Sequence, residues 1–250
     1  MELNLVDDAY ETKMAAFESD CNDGKGEALP CHQTAEFFSV VKEDRERAGK
    51  MYERNCREKG YPASCFNLAK LHLAGKGVKQ DDQAAERLFT KACKGGHLSA
   101  CYHQGLLSFL TDQPKQPKPT SPPPSTTTTG SPNTQPSSSS SAVKIKLTWK
   151  QQDALKLLEK NCQAGEFESC YFTGSHYLNP NVIDRNPSRA ISLLERSCDG
   201  NHASSCFNLA VLYKKGDVGV PADAEKFAHY QKKTKELVKV YGSLGGQKMA

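Results

Sequence analysis

The sequence predicts an all-α protein, built as an α/α solenoid of helix–turn–helix repeats that disulfides join. Two observations carry this prediction. The ten cysteines fall into five close pairs, and the spacing recurs, because 36 residues separate Cys65 from Cys101 and 36 separate Cys170 from Cys206. A fixed period of this length is typical of a repeat array, in which each unit packs against its neighbours.

The cysteine pairs occupy equivalent places in the repeat. The second cysteine follows the first by eight to ten residues in the consecutive pairs Cys21/Cys31, Cys56/Cys65, Cys93/Cys101, Cys162/Cys170 and Cys198/Cys206. Each pair spans the turn between the second helix of one unit and the first helix of the next, where antiparallel helices bring two Cα atoms within disulfide range. We therefore predict five disulfides. Each closes a short loop and contributes about 2.5 kcal/mol in the chain-entropy model.

Two other uses of these cysteines fit the pattern less well. A free buried cysteine serves as a small apolar residue, but ten cysteines paired at one kind of turn favour disulfides. Structural zinc requires four ligands, usually at closer spacings, and two pairs carry a histidine midway, His97 and His202. We predict no metal site and interpret these two histidines as polar turn residues.

The first helix of each unit begins around the second cysteine of a pair. The string Ser-Cys-Phe-Asn-Leu-Ala occurs at residues 64–69 and again at 205–210. Apolar residues follow the earlier string at helical spacing. The helix is predicted to end at the glycine-bearing turns 75–78 and 216–220, because glycine accepts the left-handed backbone that follows a helix end.

The second helix carries a small and a large apolar residue on one face. In four units an alanine stands eight residues before the cysteine and a large aliphatic residue stands five before it: Ala48 and Met51, Ala85 and Leu88, Ala154 and Leu157, Ala190 and Leu193. A gap of three residues places both on the same side of a helix. We expect the alanine to permit close helix approach and the larger residue to fill the groove.

The chain divides into five units and one insert. The units run roughly over 31–64, 65–100, 101–169, 170–205 and 206–240. The insert is rich in proline, serine and threonine and has no large apolar residue to anchor a core, so it is predicted to be disordered between the two helices of the third unit.

The chain is predicted to have five segments. They are 1–30 with a helix and the first cysteine pair, 31–110 with units one, two and the first helix of three, the insert 111–142, 143–241 with the remaining helices, and a flexible tail, 242–250.

Charge and hydropathy narrow the classes of function. The net charge of +4 is mild and both signs mix along the chain, which argues against a nucleic-acid surface. No stretch approaches 18 apolar residues, so we expect no membrane span. The start, MELNLVDDAYETK, fits neither a secretory signal peptide nor a typical mitochondrial presequence. Disulfides require an oxidising compartment, and neither kind of leader explains how this chain would reach one.

These features resemble the Sel1-like repeat, a relative of the tetratricopeptide repeat, over about residues 30–240. A cysteine pair at each turn between units narrows the resemblance to the family of cytochrome c oxidase assembly factor 7, which is related to bacterial cysteine-rich, Hcp-like Sel1 proteins. The string at 205–209, the turn 75–77 and a cysteine-free last helix ending near Tyr241 support it. The insert and the wider first pair, Cys21/Cys31, depart from the family pattern.

The resemblance implies a non-enzymatic assembly factor for respiratory complex IV in the mitochondrial intermembrane space. It implies protein partners, among them the disulfide-relay import machinery, with docking expected on concave helices. No cofactor is predicted. The resemblance leaves haem or copper handling open, although the histidines form no repeated ligand set: His32, His72, His97, His103, His176, His202 and His229. A general Sel1 adaptor of the cytosol or secretory pathway is the alternative.

An enzyme is not expected. Bacterial relatives are associated with β-lactam binding, and the Ser-x-x-Lys pattern of serine β-lactamases occurs at 39–42 and 141–144. The partner motifs Ser-Asp-Asn and Lys-Thr-Gly do not occur, nor does the Cys-x-x-Cys of thiol oxidoreductases. We therefore predict no catalytic residues.

Overall fold

The computed structural model describes residues 8–112, 147–179 and 183–242. These residues form eleven α-helices and no β-strand, which confirms the all-α fold class. The helices are α1 Asp8–Asn22, α2 Ala28–Val40, α3 Arg45–Lys59, α4 Pro62–Ala74, α5 Asp82–Lys94, α6 Leu98–Thr111, α7 Trp149–Gln163, α8 Phe167–Tyr177, α9 Pro187–Asp199, α10 Ala203–Lys215 and α11 Ala224–Tyr241.

Helices α2 to α11 pack as five consecutive hairpins, one for each predicted unit, and every hairpin also packs against the next. Helix α1 precedes the array and packs on α2 and α3. Neighbours in sequence are therefore neighbours in space, as a solenoid requires.

The predicted boundary between residues 30 and 31 is corrected, because it falls inside α2. Cys31 is the fourth residue of α2, and the second cysteine of every later pair is likewise the fourth residue of its helix. Each unit therefore begins three residues before the predicted boundary. The predicted segment 1–30 also separates Cys21 from Cys31, whereas the structure pairs them and so joins α1 to the first unit. The cysteine marks the first turn of the helix and not its start.

The predicted insert leaves the array between α6 and α7. These two helices pack together as closely as the helices of the other units. The hydroxyl of Thr148, which caps α7, donates a hydrogen bond to the carboxylate of Asp112, the C-cap residue directly after α6. Residues 112 and 148, on either side of the undescribed stretch, are thus held side by side. Residues 113–142 of the insert lie outside the described residues, as do 143–146 after it, 1–7 of the predicted N-terminal segment and 243–250 of the predicted tail.

Every second helix begins with a side-chain cap. A polar side chain accepts a hydrogen bond from a backbone N–H two or three residues further on, at Asp44, Asp81, Thr148, Asn186 and Asp223. Such a cap satisfies one of the free N–H groups of a helix start and contributes about 1 kcal/mol. These caps fix where each second helix starts after its loop.

In the first four units, the large side chain that fills the hairpin lies four residues before the first cysteine of the pair that follows. The residues at this position are fully buried: Tyr52, Phe89, Leu158 and Leu194. In the third and fourth units the first helix has a glycine beneath it. A Cβ added at Gly105 would lie 2.8 Å from Leu158, and one at Gly174 would lie 2.9 Å from Leu194. The contact therefore depends on the absence of a side chain there.

The predicted alanine positions are buried, but the predicted filling residue is wrong in three units. Ala48, Ala85, Ala154 and Ala190 are at most 4% exposed. Of the large residues five before the cysteine, Met51 is buried, whereas Leu88, Leu157 and Leu193 are half-buried. The residue one position later takes the centre, because a gap of four also keeps two side chains on one helix face.

Leu194→Ala should destabilise the protein strongly. Removing a fully buried leucine costs about 2–5 kcal/mol, from lost burial and the cavity left behind. The neighbouring variant Leu193→Ala removes the same atoms from a half-buried site and should cost clearly less. Thermal unfolding followed by circular dichroism without reductant compares them. Equal losses would contradict the assignment of Leu194 as the filling residue.

Candidate protein-binding surface and its disulfide junctions

We call the turn between the second helix of one unit and the first helix of the next, with the cysteines on either side, a repeat junction, and we count the turn between α1 and α2 with them. The structure brings the ten cysteines together in the five consecutive pairs, with Sγ–Sγ distances of 2.04–2.07 Å and Cα–Cα distances of 4.5–5.5 Å. All ten lie in described parts of the chain, and none is left without its partner there. Nine are buried, and Cys93 is half-buried. Each pair joins two consecutive helices at disulfide distance.

The first pair keeps this arrangement in spite of its wider spacing. Cys21 and Cys31 are ten residues apart in sequence, yet their Cα atoms lie 5.5 Å apart. Both are buried, at 5% and 3% exposure. The additional residues lengthen the turn between α1 and α2, where a Cβ added at Gly26 would lie 2.9 Å from each sulfur. The longer turn therefore accommodates the wider spacing of this pair, and Cys31 still lies at disulfide distance from Cys21.

A basic side chain links one repeat junction to the next. The residue two positions before the first cysteine of a pair reaches back to the carbonyl of the preceding first cysteine. Lys91 Nζ donates to Cys56 O at 2.6 Å, and Arg196 Nε donates to Cys162 O at 2.9 Å. The last carbonyls of a helix lack partners within the helix, and a cation suits their negative end. These two bonds therefore tie α3 to α5 and α7 to α9.

The serine of the repeated string has a buried structural role. Asn55 Nδ2 donates to Ser64 Oγ at 2.7 Å and to the carbonyl of Ala28 at 2.9 Å. In the last junction, Ser205 Oγ donates to Ser197 Oγ at 2.7 Å, and Ser197 Oγ donates to a backbone carbonyl of α8. Buried polar groups need such partners, so the serine before the cysteine helps set the distance between helices.

Rings from neighbouring units meet across the junctions and form an aromatic–histidine ladder. The residue after the second cysteine of one unit contacts the residue four before the second cysteine of the next. The ring pairs, with centroid distances, are His32 with Tyr61 at 5.2 Å, Phe66 with His97 at 4.4 Å and Tyr171 with His202 at 4.5 Å. Such contacts add stabilisation beyond simple burial. At the third junction Tyr102 and Glu166 take these positions.

The interpretation of His97 and His202 as polar turn residues is therefore incomplete. Both stand directly before a first helix, and His97 Nδ1 accepts a hydrogen bond from Ala100 N at 3.3 Å. However, His97 stacks on a ring, and His202 is 7% exposed, with Nε2 3.3 Å from a carboxylate oxygen of Glu168. Their stacking partners are about 31 residues earlier in the chain, so the sequence pattern alone did not reveal them.

Burial shifts the pKa of several residues of the array, some of them in the ladder. It lowers the pKa of four imidazoles, at His32, His97, His103 and His176. It raises the pKa of the Glu166 carboxyl, because the charged form loses water. Among the described residues, no three or more His, Cys, Asp or Glu side chains converge to hold a metal ion.

The two Ser-x-x-Lys segments offer no assembled nucleophile in the described residues. Lys42 forms an ion pair with the carboxylate of Glu11, and no hydrogen bond between Lys42 and Ser39 is found in the described part of the chain. The segment 141–144 lies outside the described residues. In the part of the chain that the structure covers, no helix combines the length and apolar character needed to cross a bilayer.

The hairpins, the junction pairs and the 36-residue spacing define an α/α solenoid of helix–turn–helix repeats. The model of the Sel1 repeat matches residues 62–97, 167–202 and 203–230. These three matches begin where helices α4, α8 and α10 begin. The chain therefore contains Sel1 repeats, as the sequence pattern indicates.

The chain is similar to proteins called cytochrome c oxidase assembly factor 7. It is 26% identical to the protein of Xenopus tropicalis over 223 residues, which cover 88% of this chain and 68% of the relative. It is 32% identical to the Drosophila melanogaster homolog over 89 residues, 34% of either chain. It is 33% identical to the Homo sapiens protein over 82 residues, 31% of this chain and 36% of the relative. The resemblance is confirmed, although the fly and human matches span about a third of those relatives.

Solved structures show the same fold at low sequence identity. A Sel1 repeat protein from Oxalobacter formigenes superposes with a TM-score of 0.64 at 19% identity, covering 88% of this chain and 81% of that one. The protective antigen c5321 of uropathogenic Escherichia coli, which displays an SLR fold, gives a TM-score of 0.56 at 15% identity, covering 89% of this chain and 45% of that one. These likenesses establish the solenoid architecture.

Acidification should destabilise the array. In the unfolded chain, the four imidazoles take up protons near their ordinary pKa of about 6.5, whereas burial lowers their pKa in the folded state. The unfolded state then binds more protons, so the free energy of unfolding falls as the pH drops through about 6.5 toward the lowered values. Thermal unfolding between about pH 7.5 and pH 5.5 measures this effect.

One histidine variant separates this effect from general acid sensitivity. The His103 ring lies 4.9 Å from Phe89, and its pKa is lowered by burial and then by Lys70 and His97, while Glu168 raises it. His103→Gln should reduce the fall in Tm on acidification, whereas His229→Gln, at an exposed site on α11, should leave it unchanged. A wild-type Tm that stays constant or rises over this range would refute the expectation. Glu166 acts in the opposite sense, in the lower range of carboxyl groups.

Proposed function

We propose that this chain is a non-enzymatic assembly factor for cytochrome c oxidase, which acts as a protein-binding scaffold in the mitochondrial intermembrane space. The observation that carries the proposal is a cysteine pair at disulfide distance in every repeat junction, in a chain similar over 88% of its length to a cytochrome c oxidase assembly factor 7. Helical repeat arrays present extended surfaces that suit protein partners.

The cysteine pairs support an oxidising compartment. Nine of the ten cysteines are buried where consecutive helices meet, so the state of each pair affects the contact between those helices. Each bridge contributes about 2.5 kcal/mol in the chain-entropy model, beside a usual total stability of about 5–15 kcal/mol. Oxidation after import would fold the array and retain it in the intermembrane space, with the disulfide-relay machinery as a partner. A reducing cytosol would remove this stabilisation.

The oxidation state of the native chain tests the location. We expect no adduct when protein from intact cells is alkylated before reduction, and ten adducts when it is reduced first, because all ten cysteines pair. Intact mass spectrometry gives both counts. A denatured, alkylated sample that has never met reductant is the control for hidden thiols. Ten adducts without reduction would reject the proposal and favour a cytosolic Sel1 adaptor.

Loss of the chain should lower cytochrome c oxidase activity. Cells that lack it are expected to assemble less complex IV, measured as oxidase activity against citrate synthase and on native gels. The wild-type chain should restore the complex. The double variant Cys198→Ser, Cys206→Ser should restore it poorly, because it removes the bridge between the last two units. Normal complex IV in cells without the chain would contradict the proposal.

A further inference from the structure

A groove opens between the first helices of the last two units, α8 and α10. Its volume is about 390 Å³, within the range of about 300–1,000 Å³ that is usual for ligand sites. Its apolar part includes Leu178 and Val211, and its polar part includes Ser175, Asn208, Arg185 and Lys215. All the residues that line it lie in described parts of the chain.

The uncharged polar groups of the groove are held in place. Asn208 Nδ2 donates to Ser175 Oγ at 3.0 Å, and both residues are half-buried. This bond uses one of the two amide N–H groups of Asn208 and leaves the hydroxyl proton of Ser175 available. The pair therefore presents two hydrogen-bond donors, an amide N–H and a hydroxyl, at the contact between α8 and α10.

The charges of the groove are positive on balance. Arg185 forms an ion pair with Asp217, whose side chain is 6% exposed and also accepts a hydrogen bond from the backbone N–H of Val218 at 2.7 Å. The carboxylate of Asp217 is thus already engaged. Lys215 is exposed and forms no salt bridge with any other described residue. The cation that stays without a counter-charge is therefore the Lys215 ammonium at the end of α10.

The corresponding place in the first two units has different chemistry. Asn67, the counterpart of Asn208, lies with Nδ2 3.5 Å from a carboxylate oxygen of Glu36, the counterpart of Ser175. The counterpart of Lys215, counted from the second cysteine, is Ala74. The same scaffold thus presents a carboxylate between α2 and α4, and donors with a free cation between α8 and α10.

We propose that the groove between α8 and α10 binds an extended acidic segment of a partner protein. A glutamate or aspartate side chain of the partner accepts hydrogen bonds from Lys215 and Asn208, and an adjacent aliphatic side chain packs against Leu178 and Val211. Complementary charge supplies specificity, and the apolar surface supplies burial. The proposal rests on the adaptor part of the proposed function and is independent of its link to cytochrome c oxidase.

Nuclear magnetic resonance titration of the oxidised, isotope-labelled full chain tests the groove. The probe is the blocked peptide acetyl-Gly-Leu-Glu-Leu-Gly-amide, and its comparison replaces Glu with Gln. We expect shift changes confined to α8, α10 and the segment 216–217. We expect the Gln peptide to bind about tenfold more weakly or worse, because a hydrogen bond to a charged group is lost.

Two variants of equal charge change decide the role of Lys215. Lys215→Glu should weaken binding of the Glu peptide about tenfold or more. Lys214→Glu is the matched control, because Lys214 lies over the ring of Phe227, 5.6 Å from its centroid, and does not line the groove. The spectra themselves report whether each variant is folded, and Lys215→Gln replaces Lys215→Glu if it is not.

Equal binding of the two peptides, shift changes on another surface, no shift change at all, or equal weakening by both variants would overturn the groove proposal. Peptide binding in a protein whose loss leaves complex IV intact would keep the groove and reject the proposed function. If the Glu peptide does not bind, and the Lys215→Glu chain still restores complex IV in cells that lack the wild-type chain, the proposed function stands and the groove proposal is rejected.

Discussion

The rest of the structure depends on the repeat junction, where two cysteines at disulfide distance join the second helix of one unit to the first helix of the next. A single helical hairpin cannot bury its apolar face alone, so each unit depends on the position of its neighbours. The junction fixes that position at one point, and where Lys91 or Arg196 reaches back to the preceding junction, the bond fixes it at a second. Buried serines and stacked rings fill the space between these two points.

This arrangement explains why the repeat tolerates variation elsewhere. The filling residue of a hairpin changes from Tyr52 and Phe89 to Leu158 and Leu194 along the array, and the two leucines each lie over a glycine of the facing helix. Between units, the filling residue changes and only the core volume stays roughly similar, whereas the cysteine pair at the junction stays the same. Surface chemistry then varies freely, which lets one scaffold present different charges between different pairs of first helices.

The sequence predicts the hairpins and their order well, because the cysteine spacing and the repeated string mark the same point in each unit. It misplaces the unit boundaries, since a residue such as Cys31 marks the first turn of a helix and not its start. It does not identify the filling residue, because Leu193 and Leu194 are both apolar and gaps of three and four from the alanine both fit one helix face. Nor does it reveal the stacking of His97 or the bond from Asn208, since their partners lie about one repeat away and meet through tertiary packing.

The bond between Asp112 and Thr148 has a consequence for the engineering and evolution of this chain. Because this bond joins the C-cap residue of α6 to the N-cap residue of α7, the geometry of the third hairpin does not depend on the length of sequence between them. The entropy of closing a loop rises only logarithmically, by about 0.6 kcal/mol for each doubling in length. This position is therefore an insertion site. A tag, a reporter domain or a new recognition sequence can be exchanged here while the helices on either side keep their packing.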